Sequence, residues 1–402
     1  MSLNSETVFP IDFSKKLQQR KTDKSFRVRK QLQTAQGSVV VVDGARKVSF
    51  CSNDYLSLAN HPKLIQAFTQ AAQKYGVGSG ASHLVCGHHR EHQLLEEALA
   101  RFVNRDRALL FSNGYMANMG TINALTHSGT EIFCDQLNHA SLMDGAFISR
   151  GSHRRFPHND MGKLDKLLSA SSAVKKMIVV DGVFSMDGDI APLDELVALA
   201  KCHQAMLMVD DAHGFGFLGA NGGGIAEHFN CDQHALPILM ATLGKACGSA
   251  GAFVAGENDL IESLLQFSRT YIYTTALPPA TAAASRMALE IIKTEPWRRK
   301  NLENNIRHFT LVAKTLRLPI MPSITPIQPI LLGRNEQVIK IAERLYQKGF
   351  WLGAIRPPTV PEGMGRLRIS LNADHSLEQV DDLLMELHAC LRAEVSAESF
   401  LL

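Results

Sequence analysis

The chain has 402 residues, 45% hydrophobic and 20% charged, enough for one large core and a second, smaller domain. Its 42 basic and 39 acidic side chains leave a net charge of +3, which gives no electrostatic footprint for nucleic acid or a membrane surface. Seven scattered cysteines without a Cys-Xaa-Xaa-Cys pair argue against a disulfide framework or thiolate metal site, and no apolar run approaches the roughly 20 residues that span a bilayer.

Residues 1–30 are polar and charged, without the apolar stretch of a signal peptide, so a soluble, cytoplasmic protein is expected. The first 35 residues carry a helix-compatible pattern through Phe13, Leu17 and Phe26. Residues 39–42 and 48–51 then read as a short hairpin around Asp43-Gly44. Helices are predicted over 62–75, 91–103, 115–125 and 193–203, and buried strands over 108–111, 131–134, 177–180, 206–210, 238–241 and 251–254. Short apolar strands alternating with helices predict an α/β fold, a large, mostly parallel sheet sandwiched by helices. Beyond Pro278-Pro279 a long helical region, strands at 327–332, 351–355 and 367–371, a helix over 336–348 and a final helix read as a smaller α+β domain. The organisation expected is an N-terminal segment (1–50) packed with the small domain (291–402), around a large domain (51–290).

Ligands of such sheets sit at the carboxyl ends of the strands. Two motifs fall there: Val209-Asp210-Asp211-Ala212-His213-Gly214 and, downstream, Thr242-Leu243-Gly244-Lys245-Ala246-Cys247-Gly248. A lysine on a small-residue turn can form a Schiff base with pyridoxal 5'-phosphate (PLP), and an acid can keep the cofactor's ring nitrogen protonated. Alone, Lys245 is a solvated loop residue and Asp210 a helix cap or half of a metal site; their order, each after a strand, favours the cofactor reading. Asp211, pointing to the opposite face, is expected to be structural. The turn Ser112-Asn113-Gly114-Tyr115 suits a phosphate at a helix start or an ordinary strand-to-helix connection, and His139 is a ring-stacking candidate or a satisfied polar residue.

Two patterns mislead. Gly76-Val77-Gly78-Ser79-Gly80-Ala81 fits the dinucleotide spacing but follows a helix rather than a strand. His88, His89 and His92 resemble a metal cluster without a completing carboxylate or cysteine, so solvated or substrate-facing histidines are expected and no metal is assigned.

Taken together, the chain from about Phe26 to about Leu387 resembles the α-oxoamine synthase family of PLP-dependent enzymes, of fold type I. The resemblance is carried by Ser52-Asn53-Asp54-Tyr55-Leu56, residues 78–87 with His92-Gln93, Asp181-Gly182-Val183-Phe184-Ser185-Met186-Asp187-Gly188-Asp189, and the two strand-end motifs. Tyr273-Thr274-Thr275-Ala276-Leu277-Pro278-Pro279 and the subgroup-specific Ile355-Arg356-Pro357-Pro358-Thr359-Val360-Pro361, with Arg366-Leu367-Arg368, add to it.

The resemblance implies roles for matching positions. Lys245 would hold the cofactor, Asp210 face its ring nitrogen, His213 and Ser185 contact the ring hydroxyl, and His139 stack on the ring. Gly114, Tyr115 and Thr242 would hold the phosphate, with Thr274 and Thr275 supplied by the neighbouring subunit of a homodimer. Arg368 would clamp the amino-acid carboxylate, Asn53 touch the substrate adduct, and Arg27 and Arg356 meet the acyl donor. The implied reaction is a decarboxylative condensation of L-alanine with a pimeloyl thioester, carried on CoA or acyl carrier protein. Asp181, where relatives often have Glu, and Met364, where close relatives often have Thr, depart from the pattern. The alternative is glycine C-acetyltransferase, which differs around residues 211–214 and 356–361; a silent scaffold subunit is disfavoured by Lys245.

Overall fold

The computed structural model describes residues 13–399. A short hairpin of β1 (Val39–Val42) and β2 (Ala45–Phe50) opens the fold, its turn formed by Asp43 and Gly44, both at positive φ. The large sheet comprises β3 (Arg107–Phe111), β4 (Thr130–Asp135), β5 (Ser152–Phe156), β6 (Lys175–Asp181), β7 (Ala205–Asp210), β8 (Ile238–Thr242) and β9 (Ala252–Gly256), in the order β3-β9-β8-β7-β6-β4-β5. Only β9 runs against its neighbours, so the sheet is mostly parallel, as the sequence predicts. A second sheet joins β10 (Ile327–Gly333), β11 (Phe350–Ile355) and β12 (Gly365–Ser370) to the hairpin through parallel pairing of β2 with β11.

Alternation along the central strands builds two cores. Ile178, Val180, Leu207, Val209, Leu239 and Ala241 pack on one face; Met177, Val179, Met208, Ile238 and Met240 pack on the other. Each of these side chains other than Ala241 contributes about 1.5–3 kcal/mol on burial. The same alternation sends Asp210 to the face of Met208 and Asp211 to the face of Val209.

Among the elements between residues 51 and 290 that escape the sequence reading are the strand β5 and the helix Met161–Ser169. β5 lies at the sheet edge, and its sequence Ser-His-Arg-Arg-Phe buries only Phe156 completely. Its cationic side chains blunt an edge that would otherwise template further pairing. At the amino terminus the helix is Phe13–Thr22 and buries no residue; Phe26 lies beyond it.

Candidate active site

The carboxyl ends of β4, β6, β7 and β8 meet around one cleft, which receives Asp135, Asp181, Asp210 and the turn after Thr242. Lys245 sits in that turn, and Gly248 makes the turn possible. Gly248 has φ +61°, and a Cβ there would lie 2.3 Å from the backbone nitrogen of Ala59. The Lys245 amine is desolvated, which lowers its pKa to about 8; Asp210 and Asp181 work against that shift.

Lys245 Nζ lies 2.9 Å from His213 Nε2, and His213 Nδ1 lies 2.6 Å from the Tyr55 hydroxyl. Burial, with the Lys245 charge beside it, pushes His213 well below its ordinary pKa, so the ring is neutral. One tautomer satisfies both neighbours: Nε2 accepts from Lys245, and Nδ1–H donates to Tyr55. Tyr55 in turn donates to Asn53 Oδ1 at 3.3 Å, which also accepts from Arg368 Nη2 at 3.2 Å. A continuous polar chain thus links the amine to the arginine.

Arg368 is 7% exposed and donates to the Ser185 carbonyl at 2.6 Å and to Ser370 Oγ at 2.8 Å, yet pairs with no carboxylate among the described residues. Arg366, two residues away on β12, is instead neutralised by Asp187. A buried guanidinium without a counter-ion is costly unless an anion completes it.

Asp210 is 4% exposed. Its Oδ1 accepts from the Ala212 amide at 2.9 Å, and its Oδ2 from Asn118 Nδ2 at 2.6 Å. Asp211 accepts from the Ile225 amide at 2.7 Å on the other face of the sheet, the structural placement expected of it.

His139 caps the helix Ala140–Ile148, and its own amide donates to Asp181 Oδ2 at 2.6 Å. Burial lowers the His139 pKa, while burial and nearby Asp210 push Asp181 well above its ordinary value. The short acid at 181 therefore reaches the backbone of His139. Asn118, Tyr55 and Asp181 were given no role from sequence. Asn118 is a fully buried amide on the helix Gly114–Leu125, and such a group needs partners.

At the start of that helix Asn113 takes the Met116 amide with its side chain and the Ala117 amide with its carbonyl, leaving the first-turn amides of Gly114 and Tyr115 without intrahelical acceptors. Tyr115 also hydrogen-bonds Asp144 through its hydroxyl. Thr242 Oγ1 donates to the Gly251 carbonyl at 3.0 Å. Within this chain Thr275 accepts from Ser112 through its carbonyl and Thr274 approaches the Met116 sulfur.

A cavity of about 860 Å³ opens beside His139 and Ser185; Arg27, Pro358, Val360, Met364 and Arg366 complete much of its wall. Arg356 lies outside that lining, half-buried, with its guanidinium on the Lys24 carbonyl at 2.6 Å. Met364 places a thioether in the cavity wall.

The misleading patterns resolve as follows. Gly76 ends the helix Pro62–Tyr75 at φ +79°, confirming the helical context that excludes a dinucleotide turn. Contrary to the expectation of solvated or substrate-facing histidines, His92 is fully buried: it accepts from the His89 amide and meets the Leu277 carbonyl, capping the helix Arg90–Phe102. His83, His88 and His92 offer ring nitrogens within 4.8 Å of one another, but both nitrogens of His92 are already engaged.

The donor set fits PLP: a desolvated amine for an aldehyde, a buried carboxylate for a ring nitrogen, and free helix-start amides for a phosphate. Comparison with known proteins agrees. The model of aminotransferases of class I and II matches residues 45–387. The 8-amino-7-oxononanoate synthase of Saccharophagus degradans is 54% identical over 99% of both chains. A serine palmitoyltransferase from S. paucimobilis with bound PLP and myriocin superposes with a TM-score of 0.89 at 30% identity, covering 94% of this chain and 96% of its own. The 8-amino-7-oxononanoate synthase structure from Francisella tularensis gives a TM-score of 0.76 at 32% identity, covering 87% and 99%. The chain belongs to the class I and II aminotransferase family and, within it, to the PLP-dependent 8-amino-7-oxononanoate synthases.

Proposed function

We propose that the chain condenses L-alanine with a pimeloyl thioester, on CoA or acyl carrier protein, releasing the thiol and carbon dioxide and forming 8-amino-7-oxononanoate for biotin synthesis. The observation that carries the site assignment is a buried amine of lowered pKa sharing one cleft with buried Asp210 and the cation of Arg368, which has no carboxylate partner among the described residues. Bound PLP supplies an aldehyde and a cationic ring that takes up the electrons freed when a bond to the amino-acid Cα breaks.

Around it, each side chain has a separate task. Lys245 holds the cofactor through Nζ and, once released, accepts the Cα proton there, for which a pKa of about 8 suits it as a general base. Asp210 keeps a proton on the ring nitrogen, and Asn118 fixes its carboxylate in place. His213 and Ser185 would meet the ring hydroxyl, and His139 would stack on the ring. Arg368 binds the alanine carboxylate while Asn53, already against it, orients the adduct. Gly114, Tyr115 and Thr242 hold the phosphate, with Thr274 and Thr275 contributed across a homodimer. The thioester chain occupies the cavity past Met364, with Arg27 at its wall and Arg356 nearby. The division into residues 1–50, 51–290 and 291–402 belongs to the same reading. Among the described residues no helix is long and apolar enough to cross a membrane, consistent with the cytoplasmic location proposed.

The deciding experiment offers the purified enzyme L-alanine or glycine with pimeloyl or acetyl thioesters. Turnover of L-alanine with the pimeloyl donor is expected. Turnover of glycine with acetyl-CoA alone would assign glycine C-acetyltransferase instead.

A further inference from the structure

His158 lies outside the residues assigned so far, between β5 and the helix Met161–Ser169, yet its ring lines the same cavity as Ser185. Its Nδ1 faces Asp135 at 3.1 and 3.2 Å, and its Nε2 faces Asp189 at 2.8 Å. A ring with a carboxylate at each nitrogen satisfies both only as imidazolium. Accordingly, the two acids outweigh burial and raise its pKa to about 10.

The two acids belong to different halves of the active site. Asp135 ends β4 and accepts from the amide of Leu137, two residues before His139. Asp189 closes the loop that carries Ser185: the Phe184 amide donates to the Asp189 carbonyl, and Val183 bridges Ile190. The ring also stands edge-on to Phe184, with centroids 4.3 Å apart. From this loop the Ser185 carbonyl receives Arg368 at 2.6 Å, and Asp187 pairs with Arg366.

We propose that His158 is a positioning residue for the condensation: bridging Asp135 and Asp189, it locks the segment leading to His139 to the loop that aims Ser185 and Arg368. This rests on the functional reading above. Asn159 makes a second link, its amide donating to Asp135 at 2.8 Å and its side chain to Asp189 at 2.9 Å, so loss of the imidazolium removes the charged half of the bridge, loosens the Ser185 loop and lets the carbonyl that orients Arg368 drift. Misplacement of about an ångström costs up to roughly 100-fold in such sites.

The test uses holoenzyme and two variants, His158→Gln and Asp189→Asn. Histidine-selective NMR of the wild type, assigned with His158→Gln, is expected to show one imidazolium persisting at about pH 8, well above the unperturbed histidine pKa of ~6.5. Titration of the cofactor's visible band with L-alanine is expected to show affinity weakened roughly 10- to 100-fold in each variant, with the double variant no weaker than either because the pair acts as a unit. A merely structural role would lower the melting temperature but leave L-alanine affinity per cofactor-loaded site unchanged. A His158 ring neutral at that pH, or variants binding L-alanine within about twofold of wild type, overturns the proposal. Wild type that gives no response to L-alanine overturns the functional reading and this role together, whereas a responsive wild type with unaffected variants overturns the role alone. If His158→Gln does not fold, the L-alanine affinity of Asp189→Asn still decides.

Discussion

The lowered pKa of Lys245 can be read directly in the protein stripped of its cofactor. Only a neutral amine attacks an aldehyde. With a pKa of about 8, roughly one-tenth of Lys245 is neutral at about pH 7; at the ordinary value of 10.5 the fraction would be under about one in a thousand. The structure therefore gives this amine a roughly 300-fold advantage over an exposed lysine near neutrality. Stopped-flow mixing of apoenzyme with PLP, between about pH 6 and about pH 10, should show the rate rising about tenfold per pH unit and levelling near pH 8. The signs of the neighbours supply a second check. Burial is the largest influence and lowers the value, while Asp210 is the largest that raises it, so Asp210→Asn should move the break to lower pH. Arg368 lowers the value, so Arg368→Gln should move the break up. A rate still climbing tenfold per unit up to about pH 10 would refute the lowered pKa, and a break that rises in Asp210→Asn would refute the influence assigned to Asp210.

Three further outcomes are expected. Asn118→Ala leaves Asp210 Oδ2 without its 2.6 Å donor; the loss of a charge-assisted bond, about 1.5–3 kcal/mol, should lower kcat roughly 10- to 150-fold, as steady-state kinetics on cofactor-saturated enzyme will show. Gly248→Ala should cost far more stability than Gly44→Ala, because only the first drives its Cβ into backbone; Gly44 shares the positive φ, at about 1–2 kcal/mol, but has nothing within 4 Å, and thermal denaturation of the pair separates clash from strain. His158, raised in the folded protein to about 10, binds its proton there more tightly than in the unfolded chain. Its stabilisation is thus complete below about pH 6.5 and lost as pH rises to about 10, so the stability gap between wild type and His158→Gln should shrink across that window in denaturant titrations.

The parts of the molecule that the sequence reveals are those where one local rule decides. β6, β7 and β8 are apolar runs buried on both faces, and they emerge within two residues of their predicted ends. Asp210 and Lys245 are legible because a strand end followed by a tight turn is where a parallel sheet presents ligand groups. β5 is illegible for the opposite reason. Four of its five residues are incompletely buried, so edge placement, a property of the whole sheet, replaced the apolar pattern. Asn118 lies 92 positions from Asp210, and Tyr55 158 from His213, and no spacing rule joins such pairs. Their hydrogen bonds exist because helix Gly114–Leu125 packs on the Met208 face of the sheet and the segment after β2 folds over the opposite end of the cleft.

That division bears on how the site is built. On the function proposed, the groups visible in sequence are those that would touch the cofactor or substrate; those invisible in it fix the first set in place. Asn118 holds Asp210, Tyr55 holds His213, Asp181 holds the His139 backbone, and His158 spans the two strand-end segments. Replacing one of these supporting groups should leave the reaction type intact while loosening its geometry. The Lys245-His213-Tyr55-Asn53-Arg368 chain makes the consequence concrete: base and carboxylate clamp are joined by four hydrogen-bonded steps, and the position of one constrains the other. A perturbation at Tyr55 should therefore weaken alanine binding and alter the Lys245 titration together, which two independently held residues would not do.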